Sequence, residues 1–201
     1  MNIQTDYPEI ILASASAARA AILGNAGLRF HQRPSTLNEN EERDKLGHSI
    51  APGELALHLA RRKADQVSLL EPSAVIIGAD QVLSIGNEIL QKPGSLDEAR
   101  EQLKRLRGQT HQLHSAAIIV AKGQAKTFLD TATLTMRNFC DEFLDWYLET
   151  AGEGVITSVG AYHVEGLGIH LFSEMKGDYF TILGLPILPI FQELRRLLLL
   201  K

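Results

Sequence analysis

Ala74-Val75-Ile76-Ile77-Gly78-Ala79-Asp80 is an apolar run with no polar residue until the carboxylate that closes it. A strand with one face in water alternates polar and apolar residues. A continuous run reads instead as a central strand covered on both faces, which is the mark of an α/β sheet. It predicts a buried strand with an acid at its C-terminal end, where open α/β sheets bind ligands. Upstream, Pro52 opens a helix whose Leu55, Leu59, Ala60 and Ala64 form one apolar face. Before it, Ile10-Ile11-Leu12-Ala13, Ser14-Ala15-Ser16 and Ala17 to Leu23 read as strand, turn and helix, with Gly24 or Gly27 as the stop. Leu28 to His31 alternates like a half-buried strand, and the polar stretch from Arg33 to Ser49 reads as an exposed loop.

Downstream, Val82 to Ile85 and Glu88 to Leu90 predict a hairpin around Gly86-Asn87, and Ser95 caps a helix from Leu96 to Arg107. Leu113 to Ala121 and Ala125 to Met136 form a second strand pair around Lys122-Gly123-Gln124, followed by a helix from Phe139 to Glu149. In the final third, Gly160, Gly166, Gly168, Gly177 and Gly184 punctuate short β-like stretches, and Leu185-Pro186 introduces a helix through Leu198. The expected class is mixed α/β.

With 201 residues, 45% hydrophobic and 22% charged, the chain suits one domain or two closely packed lobes with a true core, and a disordered chain is excluded. A formal net charge of −4 argues against general affinity for duplex nucleic acid or anionic membranes, so an anionic ligand must be held by a local cluster of cations. Cys140 is the only cysteine, which rules out an intrachain disulfide and a Cys-based zinc cluster, suits a reducing cytosol, and reads as a buried small hydrophobe. Met1 to Pro8 predicts no secretory leader, and runs such as Ala116 to Ala121 and Leu197 to Leu200 are too short to cross a bilayer as helices. A soluble, cytoplasmic protein is expected.

Ser14-Ala15-Ser16-Ala17-Ala18-Arg19 sets two hydroxyls and a guanidinium at a helix N-terminus, whose free N–H groups and partial positive charge attract phosphate. On the residues alone, a Ser N-cap with a surface Arg accounts for it better. In Gly78-Ala79-Asp80-Gln81 a carboxylate at a strand end can hold Mg²⁺ or activate water, and can equally be an Asp opening a turn. Lys63 and Lys92 are possible point charges for phosphate, although singly most lysines are solvated surface groups. His111 and His114 flank a strand start with no third ligand near, which makes a zinc site a poor reading. Asn38-Glu39-Asn40-Glu41-Glu42 lacks the Gly and the spaced Glu of a calcium loop and reads as a solvated face.

Taken in order, these segments resemble the Maf family of nucleotide pyrophosphatases over nearly the whole chain. Leu12 to Arg19 is similar to L-A-S-x-S-P-R-R, Leu59 to Ala64 to L-A-x-x-K-A, Gly78 to Val82 to G-[AS]-D-[TQ]-V, Leu90 to Pro93 to L-G-K-P and Gly108 to His111 to G-x-x-H. Gly160 to Gly166 and Gly177 through Pro186 are similar to the closing motifs. The resemblance implies an elongated twisted mixed sheet flanked by helices, two lobes around a central cleft (Maf/ITPase-like), often a homodimer. It implies hydrolysis of nucleoside triphosphates between the α and β phosphates with Mg²⁺ or Mn²⁺, as house-cleaning of the nucleotide pool. By motif, Asp80 is the proton acceptor and a metal-side carboxylate together with Glu39. Ser14, Ser16, Arg19, Lys63 and Lys92 hold the substrate's phosphates.

Three departures stand out. Ala17-Ala18 replaces Pro-Arg, removing one of two expected guanidinium groups, with Arg61 or Arg62 as candidates to compensate. Thr157-Ser158 replaces Asp-Lys before Val159-Gly160. Gln81 and Glu165 look more like the branch acting on 7-methyl-GTP than the one acting on dTTP and UTP, and a carboxylate at Glu165 can accept hydrogen bonds from a guanine edge. The rival reading is a catalytically weak, nucleotide-binding regulator of cell division, as the family's septum-related name suggests. Neither a phosphate loop nor a dinucleotide fingerprint is present.

Overall fold

The computed structural model describes residues 8–47, 50–197 and 199–200. The leader reading of residues 1–7, the loop reading at Ser49 and the helix end at Leu198 lie outside the described residues.

The apolar run is the first half of β3 (Val75–Ile85), the middle of a seven-stranded mixed sheet of order β2-β1-β3-β5-β6-β7, with β4 also on β3. One edge of β3 pairs antiparallel with β5 (Thr110–Ala121) from Ile76 to Ser84. The other edge is shared. β1 (Ile10–Leu12) lies parallel to Val75–Ile77, and β4 (Glu88–Leu90) lies antiparallel to Leu83–Ile85. β2 (His31–Gln32) extends β1, and β6 (Gln124–Met136) and β7 (Phe172–Lys176) extend β5. Asp80 is thus not a strand terminus. The strand runs on through Ile85 because β5 satisfies its backbone throughout, and what ends beside Asp80 is β1.

Alternation along β1 and β3 sorts residues to two faces. Ile11 and Ile76 pack with Leu55, Leu59, Ala60 and Ala64 of α3 (Pro52–Leu70). Leu12 and Ile77 pack on the opposite face with Ile22 and Leu23 of α1 (Ala17–Asn25) and Ile190 and Leu194 of α7 (Ile187–Arg196). α3 sits very close to the sheet, since a Cβ on Gly78 would stand 2.4 Å from Ala60 O. Farther along, Leu83, Leu113 and Leu134 form a core with α4 (Leu96–Leu106) and α5 (Asp141–Ala151).

Several expectations need correction. The supposed loop contains α2 (Glu39–Leu46), capped by Asn38 and acidic in its first turn and basic in its last, both favourable to the helix dipole. Of the early alternating stretch Leu28 to His31 only His31 enters a strand, β2 with Gln32, and both are exposed. The glycine-rich final third is mostly not β: it holds 3₁₀ turns at Gly152–Thr157 and Leu167–Leu171, then β7 and α6 (Tyr179–Ile182). Cys140 is exposed, at the position before α5. His111 and His114 both lie within β5. His111 is buried against the Tyr162 hydroxyl at 2.7 Å, and His114 sits between the hydroxyls of Ser84 and Thr131.

Candidate active site

Between the end of β1 and the start of β4, residues 78–82 of β3 have no strand on that edge among the described residues. A cleft of about 390 Å³ opens there. It is lined by Ser14, Ser16, Arg19, Glu39, Lys63, Asp80, Gln81, Lys92 and Glu165, so the structure brings the residues singled out by motif into one place.

Asp80 is on the α3 face of β3 by the alternation that buries Ile76, and Lys63 on α3 reaches it. Lys63 Nζ lies 2.6 Å from Asp80 Oδ1 and 2.7 Å from Glu39 Oε1, and so bridges two carboxylates. The Asp80 and Lys63 side chains are only 6% and 10% exposed, which makes the pair strongly interdependent. Asp80 Oδ2 is buried and has no hydrogen-bond partner among the described residues. Burial pushes the Glu39 pKa up, but the charge and hydrogen bond of Lys63, then Arg43 and Lys92, outweigh it and leave the carboxyl below its ordinary value.

Arg19 is buried and largely committed to the protein. Its Nε donates to Gly184 O at 2.9 Å, and Nη1 donates to Ser14 Oγ and Ala79 O at 3.1 Å each. It therefore ties the uncovered β3 edge to α1 and to the turn after α6. Ser16 Oγ caps α1 by accepting from Arg19 N, and Ser14 Oγ accepts from Ser16 N, so both hydroxyl protons stay available to a ligand. Desolvation and then repulsion by Arg19 lower the Lys92 pKa.

Gln81, one residue on, faces the opposite side. Its Nε2 donates to Ser115 Oγ and to the carbonyls of Thr181 and Ile182, pinning α6 to the sheet, so Oε1 is the atom left for a ligand. Glu165 is exposed beside His163 at 3.9 Å, on a loop shaped by Ala161, whose φ is +57°. That strained residue is held by Tyr147, which donates to Ala161 O at 3.0 Å, and the next residue, Tyr162, lines the cleft.

Ala18, Thr157 and Ser158 also line the cleft, so the departures in sequence fall inside the site. Arg61 and Arg62 do not line it. Arg61 pairs with Asp65 and Arg62 with Glu42, which removes them as replacements for the missing guanidinium. The sequence reading leaves out Arg43, which does line the cleft from α2. A signal existed: Asn38 followed three residues later by Glu41 is a helix-start pattern, and in a helix Glu39 and Arg43 share a face.

The family model for Maf-like proteins matches residues 9–197. The chain belongs to the Maf family. Among curated members, a 7-methyl-GTP pyrophosphatase of Rhizobium meliloti is 44% identical, with 94% of this chain and 96% of that protein covered. A nucleoside triphosphate pyrophosphatase of Nitrobacter winogradskyi is 43% identical over 97% and 96% of the two chains. Among solved structures, a HAM1 protein from Coxiella burnetii is similar over 65% of this chain and 73% of its own, with 15% identity and a TM-score of 0.41. The cleft thus belongs to a Maf-family chain whose curated relatives are named as pyrophosphatases.

Proposed function

We propose that this Maf-family chain is a nucleoside triphosphate pyrophosphatase, cleaving the α–β phosphoanhydride to give a nucleoside monophosphate and pyrophosphate in house-cleaning of the nucleotide pool. The observation that carries this reading is Asp80: a buried carboxylate in the cleft, anchored through Oδ1 by Lys63, with an Oδ2 that has no partner among the described residues. An oxygen so placed can take the proton of a water that attacks the α phosphorus as the bond to the bridging oxygen breaks. Ser14, Ser16 and Lys92 offer donors to phosphate oxygens, while Arg19 shapes the wall they stand on.

Mg²⁺ or Mn²⁺ fits this donor set. Hard cations of this kind take carboxylate oxygens plus substrate phosphates, and Asp80 with Glu39 supplies two carboxylates beside one cleft. When bound, the cation supplies charge neutralisation and electrophilic help at the phosphoryl oxygens. We place 7-methyl-GTP among the substrates, supported by the R. meliloti relative and by Glu165 on the cleft rim. The substrates are soluble nucleotides and we assign the enzyme to the cytoplasm; among the described residues no helix is long and apolar enough to cross a membrane.

The test is pyrophosphate release from a panel of canonical and modified triphosphates with Mg²⁺ or Mn²⁺, for the wild type and Asp80→Asn. The expected result is turnover by the wild type and a loss of about 10²- to 10⁴-fold in the variant, the usual contribution of a positioned base. Nucleotide binding without pyrophosphate release by the wild type would favour the regulator reading, which the uncharged Ala18 and Ser158 in the cleft support.

A further inference from the structure

Among the described residues four cations line the cleft, and their donors are unequally available. Lys63 is held between Asp80 and Glu39, and Arg19 commits Nε to Gly184 and Nη1 to Ser14 and Ala79. Arg43 differs. Its side chain is only 19% exposed and makes no hydrogen bond with any described residue, and its Nε is buried without a partner among them. Glu39 Oε2 stands 3.7 Å from its Nη2, beyond hydrogen-bond distance. A sheltered guanidinium with uncommitted donors is costly until something supplies acceptors. Phosphate oxygens match its planar fork.

The placement of Arg43 does not come from its own contacts. α2 is fastened to α3 through Glu42, which accepts from Arg62 at 3.1 Å and pairs with His58 at 3.0 Å. Glu39 and Arg43, one turn apart, then share the cleft-lining face. α1 presents Ala18 to the same cleft, a side chain with no donor. We infer that Arg43 binds the triphosphate chain of the substrate, doing from α2 what the guanidinium absent at Ala18 would do from α1. This deepens the pyrophosphatase reading and rests on it.

The experiment compares wild type, Arg43→Ala, Arg43→Lys and Arg43→Ala/Ala18→Arg for pyrophosphate release from GTP and UTP, for binding of inorganic tripolyphosphate by calorimetry, and for thermal midpoint. Loss of charge-assisted hydrogen bonds should lower kcat/KM of Arg43→Ala by about 10- to 100-fold on both nucleotides and weaken tripolyphosphate binding by a similar factor. The GTP to UTP ratio and the thermal midpoint should stay as in the wild type. Arg43→Lys, which keeps the charge and loses the fork, should fall between. Ala18→Arg should return about tenfold of the loss in the double variant. Unchanged tripolyphosphate affinity in Arg43→Ala overturns the inference, and no recovery by Ala18→Arg overturns the equivalence of the two positions. If the wild type cleaves no triphosphate, the pyrophosphatase reading fails by itself, while tripolyphosphate affinity still decides the role of Arg43.

Discussion

Replacing Lys63 by Met removes the ammonium between two carboxylates and keeps a stem of similar length. The Asp80 side chain, 6% exposed, then loses its only hydrogen-bond partner among the described residues and faces Glu39. Removing one partner of a buried ion pair costs about 3–5 kcal/mol, because the remaining charge stays buried and uncompensated. The Glu39 arm is 39% exposed, so solvent screens it and the lower end applies, about 3 kcal/mol. For a chain of this length that lowers the thermal midpoint by roughly 6–12 °C at pH 7. In the wild type Glu39 adds a pH dependence of its own. Its folded pKa lies below the unfolded value near 4.5, so its stabilisation is complete above that pH and is lost as pH falls through the folded value. Calorimetric scans of the wild type, Lys63→Met and Lys63→Met/Asp80→Asn/Glu39→Gln between about pH 3 and 8 check this reasoning. A midpoint for Lys63→Met within about 2 °C of wild type refutes it. So does an equal loss in the triple variant, which would trace the effect to packing around the stem.

Three further outcomes are expected. Glu165→Gln should lower turnover of guanine nucleotides more than of UTP, and an equal effect on both removes the basis for base recognition by that carboxylate. Gly78→Ala should cost about 1–3 kcal/mol in chemical denaturation, because its Cβ would meet Ala60 O at 2.4 Å and Ala64 Cβ at 2.7 Å, so α3 must move. Burial lowers the His111 pKa to about 4, so as pH falls from about 6.5 to 4 the unfolded chain takes a proton that the folded chain refuses. Stability from this group, about 3 kcal/mol, should be complete above pH 6.5 and lost across that window. His111→Gln should flatten the profile there, and an unchanged slope would show that other groups set it.

The strands and long helices were legible because burial writes them into the apolar pattern: both faces of β3 are covered, and α3 has one clear stripe. α2 was not, because almost none of its stability is apolar. Its residues are Glu-Asn-Glu-Glu-Arg-Asp-Lys-Leu, and what holds it is the Asn38 cap, end charges and the Glu42 contact with α3, a tertiary feature that no periodicity reports. Glu42 is itself held near pKa 2 by hydrogen bonds from Lys45 and His58. The candidate site residues came from motif resemblance and not from local chemistry, where a Ser cap accounted for Ser16 better than a phosphate site. Ser16 is an N-cap and also lines the cleft. Missing α2 meant missing Arg43. It also left Arg61 and Arg62 as substitutes for the lost guanidinium, although both point their charge at acids elsewhere.

A break in strand pairing explains why the cleft lies where it does. β5 follows β3 from Ile76 to Ser84 and continues past Asp80, while the opposite edge changes partner from β1 to β4. An uncovered edge exposes backbone acceptors that must be satisfied. Arg19 does this with Nη1 on Ala79 O, and in doing so it gives up much of its capacity to hold phosphate. The same geometry that opens the site therefore consumes one of its cations, and Lys63 is consumed in holding Asp80. With the family's other guanidinium replaced by Ala18, the balance left for a polyanion in a chain of net charge −4 falls to Lys92, Arg43 and any bound divalent ion. On that reasoning substrate affinity should respond more steeply to loss of Arg43 than a single exposed arginine on a highly basic surface would allow.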